Sequence, residues 1–479
     1  MNRIPTTLRR HAGVLLILLL LLLARPQPAP AAERAHTIAL PLIAAPPGTL
    51  RVGDETSLRA AIATANAAGQ MPTIELTADI SLGEPLPALD NPGAGTATLL
   101  GRGHTLRDDP SDAVFRLGPI LRVAAGTTVV IDGLTVAGGS QPEGQSLCGA
   151  GIAVEGHLTL RRSVVRDNWA DRGGGICVWG RAGTASLVVE DSLISRNSAH
   201  WGGGIFAAAE EGGSVRVTIT DSTISHNRAF SNPEKGLYQI GHGGGLYVAA
   251  LESHASASLR RTTLSRNAAA SGGGLYNIGY EAGWESGVDP GYAITTIDNC
   301  TFSGNTADDH GGAIANLSYD YFEPDGAPAG QPRVPPLGFG AVILRHSTLA
   351  DNAARRGSGI FNHSNGDMTG SIITDNWPAG GDCWGYIDSK GYNLDGDGTC
   401  RLGAPTDQPA AEADLLGLAV HAPGKTATYA LGAASAARDR IPAGGPGCDA
   451  AATDQRGVPR PQPAGGLCDT GAFEAQVGE

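Results

Sequence analysis

A short pattern of glycines and alternating apolar residues recurs along the 479-residue chain. Each glycine cluster is followed by an apolar residue, a variable residue, and then a small, apolar or amide residue. The copies read RGGGICVWG (172–180), WGGGIFAAA (201–209), HGGGLYVAA (242–250), SGGGLYNIG (271–279), HGGAIANLS (310–318) and GSGIFNHS (357–364). Near-alternation favours strands, and consecutive glycines are unfavourable inside a helix. The pattern therefore predicts a turn followed by a short strand in every copy.

A second pattern precedes each glycine cluster and ends in asparagine. The first two intervals, from Asn168 to Asn197 and from Asn197 to Asn227, are 29 and 30 residues, and later intervals are longer because loops interrupt them. Strands repeated at such a period predict an all-β parallel β-helix of about ten coils, each about 4.8 Å from the next. The position three residues before the asparagine should form an inward apolar column: Val165, Ile194, Ile224, Leu264, Phe302, Leu349 and Ile373.

The asparagines themselves should form an inward column at a corner. Stacked amides hydrogen-bond to one another along the stack, which satisfies polar groups that would otherwise be costly to bury. We predict a structural rather than a catalytic role for Asn168, Asn197, Asn227, Asn267, Asn305, Asn352 and Asn376. A column of small residues lies five residues before each asparagine, and Cys300 occupies one of its serine positions. We expect Cys300 to be a buried, unreactive thiol.

The strand after each glycine cluster predicts two further columns. Its second inward position ends in a second amide ladder at Asn277, Asn316 and Asn362. The residue between the two inward positions should point outward, and it is largely aromatic. That column reads Cys177, Phe206, Tyr247, Tyr276, Ala315 and Phe361. Aromatic side chains on an outer face are candidates for ligand binding, and we assign this role to Phe206, Tyr247 and Tyr276.

The chain begins with a targeting pattern. Three arginines precede the apolar run GVLLILLLLLLA, and small residues follow, which describes a secretory signal peptide cleaved near Ala31 or Ala32. No later stretch is long and apolar enough to span a bilayer. We expect a secreted, extracellular or cell-envelope protein. The predicted division is a signal peptide (1–32), an N-terminal cap (33–70), a parallel β-helix (71–404) and a C-terminal cap (405–479).

The segment SLRAAIATANAAG predicts a helix that closes the N-terminal end of the β-helix. It places Leu58, Ala61, Ile62 and Ala65 on one face, with Asp54 or Thr56 as the N-cap. Such a plug is needed because an open coil exposes unpaired strand edges and an apolar cross-section.

Net charge and cysteine content limit the classes of partner and the pairing of the cysteines. The formal net charge is −13, which disfavours nucleic acid as a partner because phosphate binding needs a basic face. Export makes disulfides feasible, and the 7 cysteines leave at least one thiol unpaired within the chain.

Several motifs resemble known β-helix families. FSGN at 302–305 and GGAI at 311–314 resemble the FxxN and GGA(I/L/V) repeats of the polymorphic outer-membrane proteins, which are adhesin-like. DETSLRAAIATANA (54–67) and ATDQRGVPRPQPAGGLCDTGAFE (452–474) resemble the two ends of secreted bacterial proteins of the choice-of-anchor Q, CSLREAI type. The resemblance implies a right-handed parallel β-helix at the cell surface or outside the cell, and it implies no reaction.

Two cysteine pairs are expected near the C-terminal cap. Cys448 and Cys468 flank the terminal motif, and Cys383 and Cys400 lie shortly before it. Disulfides suit a segment with little core of its own. A bridge between Cys148 and Cys177, one coil apart, is left open.

Insertions at 228–242, 280–292 and 319–340 interrupt the period, and the last two leave neighbouring coils at the same point. Loops on a rigid scaffold are where binding groups usually lie. Aromatic faces beside carboxylates suit sugars, although these loops would equally pack over the aromatic column. The loop candidates are Tyr280, Trp284, Glu285, Asp289, Tyr319, Asp320, Tyr321, Phe322 and Glu323.

We therefore expect a non-catalytic adhesin-like or glycan-binding protein, with a polysaccharide or a surface receptor as partner. The alternatives are a polysaccharide lyase or glycoside hydrolase, which needs paired carboxylates, and a purely structural envelope protein. The best charged cluster is Asp308, Asp309 and His310 beside Arg356, and a solvated turn explains it equally well. No cofactor or metal is expected, because DGDG (395–398) lacks the third acidic position and the distal glutamate of a calcium loop.

Overall fold

The computed structural model of the protein describes residues 48–69, 72–109, 118–141, 148–231, 241–280, 290–318, 339–377 and 380–476. These residues belong to one compact unit, Leu42–Glu479. They form parallel sheets stacked in register and, within the described ranges, a single α-helix. The predicted parallel β-helix is confirmed. The predicted signal peptide lies outside the described residues.

Two long parallel sheets contain 12 strands each. The strands of the first sheet are Leu50–Val52, Thr73–Leu76, Thr96–Leu100, Thr128–Asp132, His157–Arg161, Thr184–Glu190, Ser214–Thr220, His254–Arg260, Tyr292–Asp298, Phe339–Arg345, Asn365–Thr369 and Asp388–Ser389. Those of the second sheet are Ile80–Leu82, Thr105–Asp108, Thr135–Ala137, Val164–Arg166, Leu193–Ser195, Thr223–Ser225, Thr263–Ser265, Thr301–Ser303, Thr348–Ala350, Ile372–Thr374, Leu394–Asp395 and Gln408–Pro409.

The third sheet has 9 strands, and it contains the strands that come directly after the glycine clusters. Its strands are Leu121–Val123, Ile152–Val154, Ile176–Arg181, Ile205–Glu210, Leu246–Leu251, Leu275–Tyr280, Ile314–Ser318, Ile360–Asn362 and Cys383–Gly385. A short sheet lies at the corner after the ladder asparagines, with strands Ser198–Ala199, Arg228–Ala229, Ala268–Ser271 and Thr306–His310. The last sheet is an antiparallel pair, Ala419–Val420 and Ala427–Thr428.

The register of the second sheet explains the interior. Val165 pairs with Ile194, Ile194 with Ile224, and the same position continues up to Ile373. All seven side chains of this column are fully buried. Because side chains alternate between the two faces of a strand, in-register stacking places one apolar column inside at every coil.

The ladder asparagines connect six successive steps of the coil. The side-chain amide of Asn197 donates to Oδ1 of Asn227 at 3.0 Å and to the carbonyl of Val165 at 3.0 Å. The same Oδ1 of Asn227 also accepts the backbone N–H of Asn197 at 3.0 Å. From Asn168 to Asn376, the amide–amide distances lie between 2.8 and 3.0 Å. The asparagines are therefore structural, and the shorter ladder through Asn277, Asn316 and Asn362 forms as well.

Backbone geometry explains the glycine clusters. Gly202 has φ 64°, and a Cβ atom on Gly203 would lie 2.5 Å from the carbonyl oxygen of Arg228 in the next coil. The first glycine thus supplies a left-handed turn and the second allows close approach between coils. A feature that the sequence analysis missed is a second left-handed position, directly before the ladder asparagine. It is occupied by Asp167, Arg196, His226, Arg266, Gly304, Asp351 and Asp375.

The N-terminal helix, α1 (Glu55–Ala67), has the expected cap. Asp54 accepts the backbone N–H of Ser57 at 2.8 Å, and Ser57 Oγ accepts the N–H of Asp54, which completes a capping box. The predicted face is buried: Leu58, Ala61, Ile62 and Ala65 all belong to the main core cluster. Of the two N-cap candidates, the structure selects Asp54.

The C-terminal segment is irregular and is joined by disulfides. Cys448 is bonded to Cys468 and Cys383 to Cys400, which are the two pairs expected from the sequence. Cys148 is bonded to Cys177 in the neighbouring coil, which answers the question left open above. The segment also packs against the second sheet, where Gln455 Oε1 accepts the hydroxyl of Thr301 at 2.6 Å.

We predict that Asn227→Ala lowers the free energy of unfolding by at least about 2 kcal/mol, because two donors of Asn197 and the carbonyl of Ile194 lose their buried partner. Urea denaturation measures the effect. Asn365→Ala is the control, since Asn365 is exposed and its carbonyl is retained. Equal stability of the two variants would contradict a stabilising ladder.

We predict that Cys300 is chemically silent in the folded protein. The thiol is fully buried, and burial raises its pKa to about 12, so little thiolate exists at neutral pH. Without reductant, a thiol reagent should label no cysteine in the native protein and one after denaturation. Cys300→Ser, which restores the residue of its column, should show none in either state. Rapid labelling of the native protein would contradict the buried position.

Candidate functional site

The third sheet carries a second apolar cluster on its outer face, separate from the interior. Register brings Phe206 beside Tyr247 and Tyr247 beside Tyr276. The three rings stack almost parallel, with centroids 5.1 and 5.3 Å apart. Further along, Phe361 stacks on Trp384 at 4.4 Å. The column therefore points away from the interior, as predicted.

The column is nevertheless not exposed, and this corrects the view of it as an open ligand surface. Phe206 and Tyr247 are each 5% exposed, and Tyr276 is 3% exposed. Each ring covers the next because strands lie about 4.8 Å apart, close to the stacking distance of aromatic rings. The stack first of all stabilises the sheet. Ligand binding by these three residues stays a prediction.

Two of the partly exposed residues of the cluster, Trp179 and Trp201, lie around Arg172. Its guanidinium carbon lies 5.0 Å from the ring centroid of Trp179 and 5.6 Å from that of Trp201. Arg181 lies over the same Trp179 ring at 4.6 Å and pairs with Glu211 at 3.3 Å. Trp179 and Trp201 are both partly exposed. The structure thus assembles an aromatic and cationic group that the sequence analysis did not single out.

Arg172 differs from Arg181 in its ion pairing. Among the residues that the structure describes, Arg172 has no carboxylate partner. Cation–π contacts stabilise a guanidinium by about 0.5–2 kcal/mol, and they leave its N–H donors available for an anion. The group we call the Arg172 cluster (Arg172, Trp179, Trp201 and Arg181) is therefore suited to an anionic ligand with an apolar face.

Histidines adjoin the aromatic stack. His242 stacks on Tyr276 at 4.4 Å, and His310 contacts Phe361 at 4.3 Å. Burial lowers the pKa of His242 to about 4, and the proximity of His310 adds to the shift. Burial also lowers the pKa of His310 to about 4, with a smaller contribution from Arg356. Both rings are neutral at pH 7 and act as aromatic surface.

Most of the predicted loop site lies outside the described residues: Trp284, Glu285, Asp289, Tyr319, Asp320, Tyr321, Phe322 and Glu323. Tyr280 is described, and its hydroxyl lies 3.1 Å from that of Tyr247 at the edge of the aromatic stack. In the charged cluster proposed from the sequence, Asp309 pairs with Arg355 at 2.7 Å rather than with Arg356. This arrangement fits a solvated ion pair.

A polar pocket of about 320 Å³ lies where the main asparagine ladder ends. Asp382 and Asp397 line it, and buried Asp395 lies beside them. Burial, together with these neighbouring carboxylates, raises the pKa of Asp382 to about 7 and that of Asp395 to about 6. Two close carboxylates are typical of glycosidases. Asp382 is only 1% exposed, however, so it is not placed to donate a proton to a sugar.

Comparison with known protein families finds a match to a short repeat. The Chlamydia polymorphic membrane protein repeat matches residues 299–317. The match runs from the second-sheet strand Thr301–Ser303, through the corner, into the third-sheet strand Ile314–Ser318. No curated protein and no solved structure matches the chain. The chain is thus a parallel β-helix that contains a repeat of this kind.

Two observations bear on where the protein acts. The three disulfides and the membrane-protein repeat favour a location outside the cytoplasm. In the described part of the chain, no helix combines the length and apolar character needed to cross a bilayer.

We predict that the His242 ring titrates with a midpoint near pH 4 instead of its ordinary 6.5. Since folding lowers this pKa, the unfolded chain binds the proton more tightly. The stabilising contribution of neutral His242 is therefore complete above about pH 6.5 and is lost as the pH falls towards 4. Nuclear magnetic resonance of labelled histidine rings, assigned with His242→Gln, measures the midpoint. A midpoint at 6.5 would contradict the buried stack.

Proposed function

We propose that the protein is a non-catalytic, adhesin-like β-helix that works outside the cytoplasm and binds an acidic polysaccharide through the Arg172 cluster. The observation that carries the proposal is the partly exposed Arg172, surrounded by Trp179, Trp201 and Phe206 and without a carboxylate partner in the described residues. Tryptophan rings contact the C–H face of a sugar. A guanidinium binds a sugar carboxylate through two parallel hydrogen bonds.

The net charge of −13 does not oppose such a local site. At physiological ionic strength the screening length is about 8 Å, so distant carboxylates contribute little at Arg172. Arg181 is the nearest competitor for the ligand's carboxylate, and it is already paired with Glu211. The ligand should therefore contact Arg172 first.

The rigid scaffold also favours binding over catalysis. Strand Ile176–Arg181 pairs along its length with Ile205–Glu210, and Cys177 is bonded to Cys148 in the adjacent coil. These constraints hold the cluster in one geometry, which reduces the entropy lost on binding.

We predict that the protein binds uronic-acid polysaccharides on a glycan array and that Arg172→Met weakens this binding about tenfold or more, because a charge-assisted hydrogen bond contributes about 1.5–3 kcal/mol. Methionine retains the apolar contact with Trp179 and Trp201. Arg260→Met is the matched control, since Arg260 is exposed on the first sheet. A combined change of Trp284, Tyr319, Tyr321 and Phe322 to Ala tests the loop site predicted from the sequence.

Three results would contradict this proposal. The first is the absence of binding to any acidic glycan. The second is acidic-glycan binding that Arg172→Met leaves unchanged. The third is cleavage of the bound polysaccharide, which would favour the enzyme alternative.

A further inference from the structure

A group of aspartate carboxylates lies at the C-terminal end of the main asparagine ladder, outside the Arg172 cluster. Asn376 is the last asparagine, and its amide donates to Oδ1 of Asp382 at 2.7 Å, so a carboxylate occupies the place of the next amide. The backbone N–H of Asp382 in turn donates to Oδ2 of Asp397 at 2.9 Å. The ladder therefore ends in a carboxylate group that connects the last coils of the β-helix.

Three carboxylates converge there. Asp382, Asp395 and Asp397 each offer an oxygen, and these three atoms all lie within 4.8 Å of one another. Two oxygens bound to one Ca²⁺ at 2.3–2.6 Å are separated by no more than about 5 Å. The spacing therefore fits ligands of a single cation.

A second observation, at Asp382, points to a cation. Asp382 is 1% exposed, and its Oδ2 has no hydrogen-bond partner among the described residues. Every other oxygen of the three carboxylates has a donor: Asn376 for Asp382, the N–H groups of Gly398 and Cys400 for Asp395, and those of Thr399 and Asp382 for Asp397. A buried carboxylate oxygen without a donor is costly, and a cation would relieve the cost.

The described surroundings of the three aspartates are acidic. The pocket is lined by further carboxylates, Asp375 and Glu412, and its described lining contains no lysine, arginine or histidine. Within this described lining, no basic side chain neutralises the group. The opening to solvent leaves room for water to complete the coordination.

We propose that Asp382, Asp395 and Asp397 form a Ca²⁺ site that holds the last coils of the β-helix together, beside the start of the C-terminal cap. Calcium fits better than magnesium, because it accepts irregular oxygen coordination and magnesium requires a near-ideal octahedron. The Cys383–Cys400 disulfide closes the loop that carries Asp395 and Asp397, so the ligands are held together before the ion binds. The site is independent of the Arg172 cluster.

The test is calorimetric titration of the EDTA-treated, dialysed protein with CaCl₂ and, separately, with MgCl₂. We expect saturable binding of one Ca²⁺ per chain and a rise in melting temperature with CaCl₂, because a ligand that binds only the folded state stabilises it. Asp382→Asn retains an acceptor for Asn376 but loses the charge. It should weaken Ca²⁺ binding about tenfold or more, as the removal of one charged ligand does.

A second variant and a control make the test decisive. Asp397→Asn changes an exposed ligand and should weaken binding in the same way if Asp382→Asn does not fold. Glu155→Gln removes one charge from an exposed side chain on another part of the chain and should leave the affinity unchanged. Absence of Ca²⁺ binding, or unchanged binding in both aspartate variants, would overturn the site. Equal affinity for Mg²⁺ would overturn the assignment to calcium.

Discussion

The need to satisfy buried backbone polar groups at the corner of every coil is the constraint on which this fold depends. The asparagine column meets it: the side chain of Asn227, for example, accepts the backbone N–H of Asn197 and donates to the carbonyl of Ile194, both in the coil before. The residue before each asparagine takes a left-handed conformation, which costs about 1–2 kcal/mol when it is not glycine. The amide hydrogen bonds offset that strain, so the corner and the ladder stabilise each other.

The outer face of the third sheet follows from the same periodicity. In-register strands bring like residues together, and aromatic residues so placed cover one another. The ring faces inside the stack therefore contact one another, and a ligand would be recognised by side chains at the margin of the stack. Arg172 lies at this margin, with partners on two neighbouring coils, Trp179 and Trp201. The central rings of the column thus stabilise the sheet, whereas the proposed binding uses side chains at its margin.

Much of the fold could be predicted because each column is visible in the sequence at a fixed distance from an asparagine. The inward column through Val165 and the place of Cys300 follow from that alignment, and the capped helix follows from its own helical apolar face. Exposure of the aromatic column could not be judged, because it depends on ring contacts between coils. Arg172 and Trp201 share one position of the repeat, but Trp179 and Arg181 lie on the strand that follows, so the cluster was missed because only the fold brings these two positions together. The aspartate group was missed because Asp395 and Asp397 form only an incomplete calcium loop in the sequence, and Asp382 lies 13 residues before Asp395, outside any local calcium motif.

The uneven spacing of the ladder has a consequence for how this molecule changes over evolutionary time. Successive asparagines are separated by between 24 and 47 residues, yet their amides keep the same hydrogen-bond distance. Dimensions along the stack are therefore counted in coils rather than in residues, and the 11 steps of the first sheet amount to about 53 Å. Insertions at a corner can therefore be gained or lost without altering the length of the stack. Only the addition or deletion of a whole coil changes that length.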